Sequence, residues 1–453
     1  MHFVKQQGIM LLVLIIFSLM MMSSVPSFSA EYTLTESELV AEGAILINQY
    51  TGQVLFEKNA HTPMYPASTT KILTAIIILE DLALDEVVTI DSQSPYAGGS
   101  HIALEPDENV TVEQLVYALM IASANDAAEA LAIRHSGSIE AFAEVMNQRA
   151  AEMGAINSNF ENPHGMPNSD HLTTAYDLAI ISKKAMENQT FRKIVSTIRY
   201  EIPPTNKKNQ TRYLNSTNSF YQGMEGSNSL ITVKGSKIPI AYEYVTGIKR
   251  GYTVEAKNCL VSSALKDDKA YISVVLRSNG DEMYADSRML LDLGLLGMES
   301  HILTQKDDVI ETISINNKRK TQIPAIIDAS VSIDLPVGTD PSVIEKKVNI
   351  LNVIDLPVKK GETLGSVSYY LGEHLLLTKS LVSIDDFAGE DLITELTHFF
   401  VVDDNPVFSK AWTLNIIMRL ILAVLLWRSI MTAIRIKQLK NASRKKYRSS
   451  YNQ

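Results

Sequence analysis

The chain has 453 residues, 46% of them hydrophobic, which is enough for two globular domains with extensions. Its formal charge of −10 conceals an asymmetry: all 51 acids lie within residues 31–410 against 31 bases, so this body carries −20 and offers no reason to expect nucleic-acid binding. The single cysteine, Cys259, excludes an intramolecular disulfide and has no Cys or His neighbours to make a metal site; it reads as a core position in a strand, and no metal or cofactor is expected.

In chain order, Lys5 precedes an apolar run from Ile9 to Met22 and then the small residues Ser27, Ser29 and Ala30, the pattern of a signal peptide over 1–30 and hence of export. Ala44–Asn48 and Val54–Phe56 flank a Thr51-Gly52 turn and read as a hairpin. Helical periodicity follows over Thr69–Leu82, Val112–Ala122, Ala127–His135, Ile139–Met153 and Thr174–Asn188, with Thr111 and Gln114 spaced for a capping box. Strand patterns return at Val245–Ile248, Asn258–Ala264 and Ala270–Leu276, before a helix over Tyr284–Leu293. Strands first and last around a helical middle predict one α+β domain over 31–300.

Beyond it the texture changes. Ala329, Val331, Ile333 and Leu335 alternate with Ser330, Ser332 and Asp334, and short runs separated by turns continue, predicting a small β-rich domain over 301–384 and a linker over 385–410. The apolar stretch 411–434 carries Trp412 and Trp427 near its two belts and Arg419 and Arg428 on opposite helix faces, which favours a transmembrane anchor over a surface-lying helix. The tail 435–453 has seven Lys or Arg and no acid, so it is expected in the cytoplasm and the body outside.

Three short patterns carry chemistry. Ser68 and Lys71, three apart at the start of an apolar helix, share one face; a desolvated lysine there can take the serine proton. The spacing alone is weak, since it recurs at Ser263–Lys266 and Ser443–Lys446. Ser123-Ala-Asn125 lies between two helical segments, where a hydroxyl can relay a proton and an amide can meet a substrate backbone, or where Asp126 simply caps the next helix. Lys249-Arg250-Gly251-Tyr252-Thr253 sits on a strand, with a fixed charge and a glycine that permits close approach, or marks an exposed strand end.

These patterns, in this order and within one domain, resemble the penicillin-binding proteins and serine β-lactamases, and specifically the low-molecular-weight penicillin-binding proteins of the D-alanyl-D-alanine carboxypeptidase type. Asn162-Pro-His-Gly165, Thr174-Ala-Tyr-Asp177, the β-rich second domain and the terminal anchor extend the likeness over nearly the whole mature chain. The resemblance implies a β-lactamase/transpeptidase-like catalytic domain, a small all-β domain and an anchor helix. It implies Ser68 as nucleophile, Lys71 as general base, Ser123 as proton relay and Asn125 as substrate-positioning amide. Lys249, Arg250, Gly251, Tyr252 and Thr253 are implied to bind substrate, with the Ser68 and Tyr252 amides as oxyanion hole. Peptidoglycan pentapeptide stems and β-lactams are the implied partners, with the membrane as support.

Arg250 departs from the family pattern, which has Thr or Ser between the lysine and the glycine. An arginine can hold a carboxylate bidentately or overfill the site, so a poorly active wall-bound scaffold is one alternative. A class A β-lactamase is the other, with Glu161 the only nearby candidate to hold a deacylating water. His164 reads as part of a loop turn rather than a base, and Asp177 as a buried structural acceptor.

Overall fold

The computed structural model describes residues 32–222, 229–315, 321–388 and 410–449; the expected signal peptide and most of the expected 385–410 linker lie outside the described residues. Two compact units are present. One comprises the chain to Gln305 with Ser330–Lys347 and Ser368–Thr378, the other Lys306–Ala329, Val348–Val367 and the chain from Lys379.

The first unit is built on strands β1 (Gly43–Asn48), β2 (Val54–Lys58), β9 (Val245–Thr253), β10 (Lys257–Lys266) and β11 (Lys269–Ser278), in the antiparallel order β2-β1-β11-β10-β9. The chain therefore enters at one side of the sheet and closes it more than 200 residues later, as the strand-first, strand-last order predicts. Antiparallel strands with one wet face alternate in polarity, but β1 is buried at all six positions because both faces of the sheet are covered. Ile45, Ile47, Val261, Ile272 and Val274 face the helical core, while Leu46, Leu260, Tyr271 and Val275 face the helix Glu282–Gly297.

The helical side holds α1 (Lys71–Asp81), α2 (Val112–Ile121), α3 (Asn125–Ser136), α4 (Ile139–Glu152), α5 (Ala175–Glu187) and α6 (Gln189–Val195). Helix α1 is buried from Lys71 through Ile78, as its all-round apolar sequence requires. The Thr111–Gln114 capping box opens α2, and Thr174 caps α5 through the Asp177 amide. Helix α6 and three small hairpins, β3–β4 (Val87–Thr89, Asn109–Thr111), β5–β6 (Arg199–Ile202, Arg212–Asn215) and β7–β8 (Leu230–Val233, Ser236–Pro239), have no counterpart in the sequence expectations. Their strands have three or four residues, too few for a period to register. After α7 (Glu282–Gly297), β12 (Met298–Thr304) pairs with β15 (Val331–Pro336).

Strands β13 (Val309–Ser314), β14 (Gln322–Ile326), β16 (Ile344–Ile350), β17 (Thr363–Leu371) and β18 (His374–Ser383) form a second five-stranded sheet, ordered β13-β14-β18-β17-β16. Helix α8 (Lys410–Ser449) contains one stretch, Asn415–Lys437, of 23 residues and mean hydropathy 1.9, none of it buried. At 1.5 Å per residue it is long enough to cross the roughly 30 Å hydrocarbon layer.

Candidate active site

Ser68 lies in a 3-10 turn, Ala67–Thr70, and the α-helix proper starts at Lys71. The serine therefore sits just ahead of α1 rather than opening it. Ala67 is held at φ +48°, a left-handed conformation costly for a residue with a Cβ, and Ser123 is held at φ +60°. Ala67 immediately precedes the serine, and Ser123 stands two residues before Asn125.

Lys71 is fully buried, and its Nζ lies 3.1 Å from Ser68 Oγ, 2.7 Å from Asn125 Oδ1 and 2.8 Å from the carbonyl oxygen of His164. Burial and then the neighbouring Lys249 charge hold its pKa well below the ordinary lysine range, against a smaller opposing pull from Asp126. Asn125 is the first residue of α3 and also donates from Nδ2 to the Gly98 carbonyl. Asp126 does not cap α3, whose N-cap is Ala124. Its buried carboxylate accepts the Ile102, Leu104 and Ala127 amides and ties the 98–104 loop to the helix. Among the described residues Lys71 bonds Ser68, Asn125 and His164, and Ser123 is not one of its partners.

Strand β9 is the edge of the main sheet and lies against the Ser68 turn. Lys249 and Gly251 pair with Val261 and Cys259, both in the helical core, whereas Arg250 pairs with Leu260 of the opposite face. A Cβ at Gly251 would stand 2.6 Å from the Ser68 amide nitrogen and 3.0 Å from Ala67 Cβ, so only glycine permits this approach. Lys249 is 1% exposed and donates to the Arg250 carbonyl; burial, with Arg250 adding repulsion, lowers its pKa to about 7. Among the described residues none of Lys71, Lys249 and Arg250 forms an ion pair. Tyr252 is exposed, and Thr253 Oγ1 accepts the Ala256 amide in the turn to β10.

The loop carrying Asn162-Pro-His-Gly165 completes the group. Asn162 Oδ1 accepts the Gly165 amide and its Nδ2 donates to Met166, while Thr74 of α1 donates to the Pro163 carbonyl. Gly165, at φ +89°, passes so close to the Ala67 carbonyl that any Cβ would overlap it. The His164 carbonyl escaped sequence reasoning because a backbone acceptor leaves no residue-type signal. The side chain is a loop member, as expected, and Asp177 is a buried acceptor for the Asn157 amide and Ser158 hydroxyl. Glu161 is exposed and accepts from Asn159. Cys259 is buried and inert, its thiol pushed up to about 12 by burial.

A serine hydroxyl touching a buried lysine of suppressed charge, beneath the edge strand of an α+β sheet, places the protein among active-site serine enzymes that pair the nucleophile with lysine. The comparisons with known proteins narrow this. Residues 30–280 match the D-alanyl-D-alanine carboxypeptidase family, and residues 299–388 match the C-terminal domain of penicillin-binding protein 5. The D-alanyl-D-alanine carboxypeptidase DacF of Bacillus subtilis is 31% identical over 396 residues, covering 85% of this chain and 96% of the relative. Penicillin-binding protein 5 of Haemophilus influenzae, 24% identical, shares the fold with a TM-score of 0.64 over 79% of this chain and all of its own. A single-site variant of the Streptomyces K15 DD-transpeptidase, 30% identical, gives 0.51 over 58% of this chain and 99% of its own.

The chain belongs to the D-alanyl-D-alanine carboxypeptidase family of low-molecular-weight penicillin-binding proteins. Its activity is serine-type hydrolysis at a D-Ala-D-Ala terminus, in a family that acts on peptidoglycan stem peptides and binds β-lactams.

Proposed function

We propose that Ser68 is the nucleophile, that Lys71 is its base, and that the geometry around the Lys71 amine sets the direction of proton transfer. A neutral amine has two N–H groups and one lone pair. Two of the three contacts of Lys71, Asn125 Oδ1 and the His164 carbonyl, can only accept from it, so they take both N–H groups and leave the lone pair facing Ser68 Oγ. The observation that carries the reading is the 3.1 Å contact between Ser68 Oγ and the amine of a fully buried lysine. A protonated lysine would spend its third N–H on the serine and could not deprotonate it; the three contacts accommodate either state, and the depressed pKa selects the neutral one.

Ser68 then attacks the carbonyl of the penultimate D-alanine. The Ser68 and Tyr252 amides stabilise the oxyanion, and the proton reaches the leaving amine from Lys71 through Ser123, whose hydroxyl must turn to Lys71 when substrate is bound, releasing D-alanine. Water hydrolyses the remaining ester and restores Ser68. A β-lactam acylates Ser68 by the same attack. Asn125 and the edge of β9 hold the substrate backbone, with Thr253 fixing the turn that follows.

Lys249 supplies the positive field for the terminal carboxylate, an assignment supported by its lack of an ion-pair partner among the described residues in a body of charge −20; Arg250, in register with Leu260 of the opposite face, adds to it only by reaching round the edge of β9. A carboxylate arriving beside Lys249 raises its pKa and charges it.

The cleaved leader over 1–30 and the span within α8 would keep the enzyme on the outer face of the membrane, with 435–453 in the cytoplasm. The catalytic assignment is tested by D-alanine release from a D-Ala-D-Ala-terminated pentapeptide. The wild-type chain is expected to release it and Ser68→Ala and Lys71→Gln to release none; a Ser68→Ala protein that turns over at the wild-type rate would overturn it.

A further inference from the structure

The ring of contacts around Lys71 does not end at the His164 carbonyl. The His164 side chain is 7% exposed, and its Nδ1 accepts the Met166 backbone amide at 3.1 Å. That bond assigns the remaining ring proton to Nε2, which lies 3.1 Å from Oε1 of Glu129, itself 8% exposed. Glu129 stands on α3 four residues after Asn125, one helical turn away on the same face. One face of α3 therefore reaches Lys71 twice, directly through Asn125 and indirectly through Glu129, the His164 ring and the His164 carbonyl.

We infer that Glu129 and His164 are positioning residues for the acylation step: the Glu129–His164 hydrogen bond locks the residue whose carbonyl takes one N–H of Lys71 and so aims the amine lone pair at Ser68. A buried glutamate is costly unless its hydrogen bonds are made, and this one is directed to the single residue whose backbone holds the base. It acts through geometry, because the charges acting on Lys71 are those of Lys249 and Asp126, not Glu129.

The groups facing the His164 ring are Glu129 from α3, Lys71 from α1 and His171 from the segment leading to α5. His171 stays neutral, its Nδ1 accepting the Glu161 amide and its Nε2 bonding Thr70, with burial lowering its pKa to about 3. Protonation of His164 would place a proton on Nδ1 facing the Met166 N–H, donor against donor, and dislodge the loop. Burial lowers the His164 pKa and the Glu129 bond partly restores it.

The inference rests on the Ser68–Lys71 reading, and the test separates the two. Acylation by a fluorescent penicillin is followed by stopped flow across pH, giving the rate constant and the pre-acylation dissociation constant separately, with thermal melts as a fold control. Glu129→Leu is expected to slow acylation roughly 10- to 100-fold, the loss of one charge-assisted hydrogen bond, with the dissociation constant unchanged. Glu129→Gln keeps an acceptor for Nε2–H, so it should recover most of the rate and move the acid limb to lower pH, because the charge that raises the His164 pKa is gone.

Wild-type acylation in Glu129→Leu would overturn the inference, as would Glu129→Gln being as slow as Glu129→Leu. If Glu129→Leu fails to fold, the rate and acid limb of Glu129→Gln decide. Labelling that persists in Ser68→Ala would instead overturn the underlying reading.

Discussion

Replacing Gly251 with alanine tests whether the close approach of β9 to the Ser68 turn is needed for chemistry. The added Cβ would lie 2.6 Å from the Ser68 nitrogen and 3.2 Å from that of Thr69, where ordinary contact begins at 3.4 Å. The nearest obstacles are backbone atoms and the short Ala67 side chain, so no flexible group can swing aside and the strand must retreat by about 0.8 Å. A displacement near 1 Å between catalytic groups costs on the order of 100-fold in rate, or about 2.7 kcal/mol in the barrier. The overpacking costs roughly 1–3 kcal/mol of stability. Single-turnover acylation by penicillin, read beside a denaturant melt, separates these effects. Gly251→Ala acylating within twofold of the wild-type rate would refute the reasoning, because β9 would then be free to move without consequence.

Lys249→Met should change two pH dependences. A lysine with a folded pKa of about 7 and an unfolded value near ~10.4 binds its proton in the unfolded chain only between those values, so its contribution to stability rises with pH across that window, by at most about 1.4 kcal/mol per unit. Urea melts should show the Lys249→Met slope flatter than wild type from pH 7 to 10; equal slopes would contradict the buried charge. Removing the Lys249 charge also lets the Lys71 pKa rise, moving the Lys71 step on the acid side of the acylation profile, which is separate from the His164 step, to higher pH. Arg250→Gln should raise KM for a carboxylate-ended D-Ala-D-Ala peptide roughly 10- to 100-fold and leave the C-terminal amide little affected; an unchanged KM for the acid would remove Arg250 from carboxylate binding.

The parts of this protein legible in its sequence are those with a period or a residue-type signature. The buried helix α1, the strands of the main sheet, the box at Thr111–Gln114 and the order of Ser68-x-x-Lys71, Ser123-x-Asn125 and Lys249-x-Gly251 all announce themselves through side chains. The carbonyl of His164, the Asp126 anchor on the 98–104 loop and the left-handed Ala67 and Ser123 do not, since each depends on backbone placement fixed by distant packing. Gly165 and Gly251 lie between these cases: their identity is visible, but the reason for it appears only once the Ala67 and Ser68 backbones are beside them. Arg250 kept its ambiguity for a related reason. Strand pairing groups Lys249 with Gly251 and puts Arg250 in register with Leu260, so a residue inside the motif need not share its neighbours' face.

The central claim is that Ser68 carries the acyl group. Intact mass and peptide mapping of the full chain after brief exposure to penicillin test it most directly: one adduct on the peptide containing Ser68, absent from Ser68→Ala and strongly slowed in Lys71→Gln, is the predicted result. An adduct mapped to any other residue, or one of equal extent in Ser68→Ala, would contradict it.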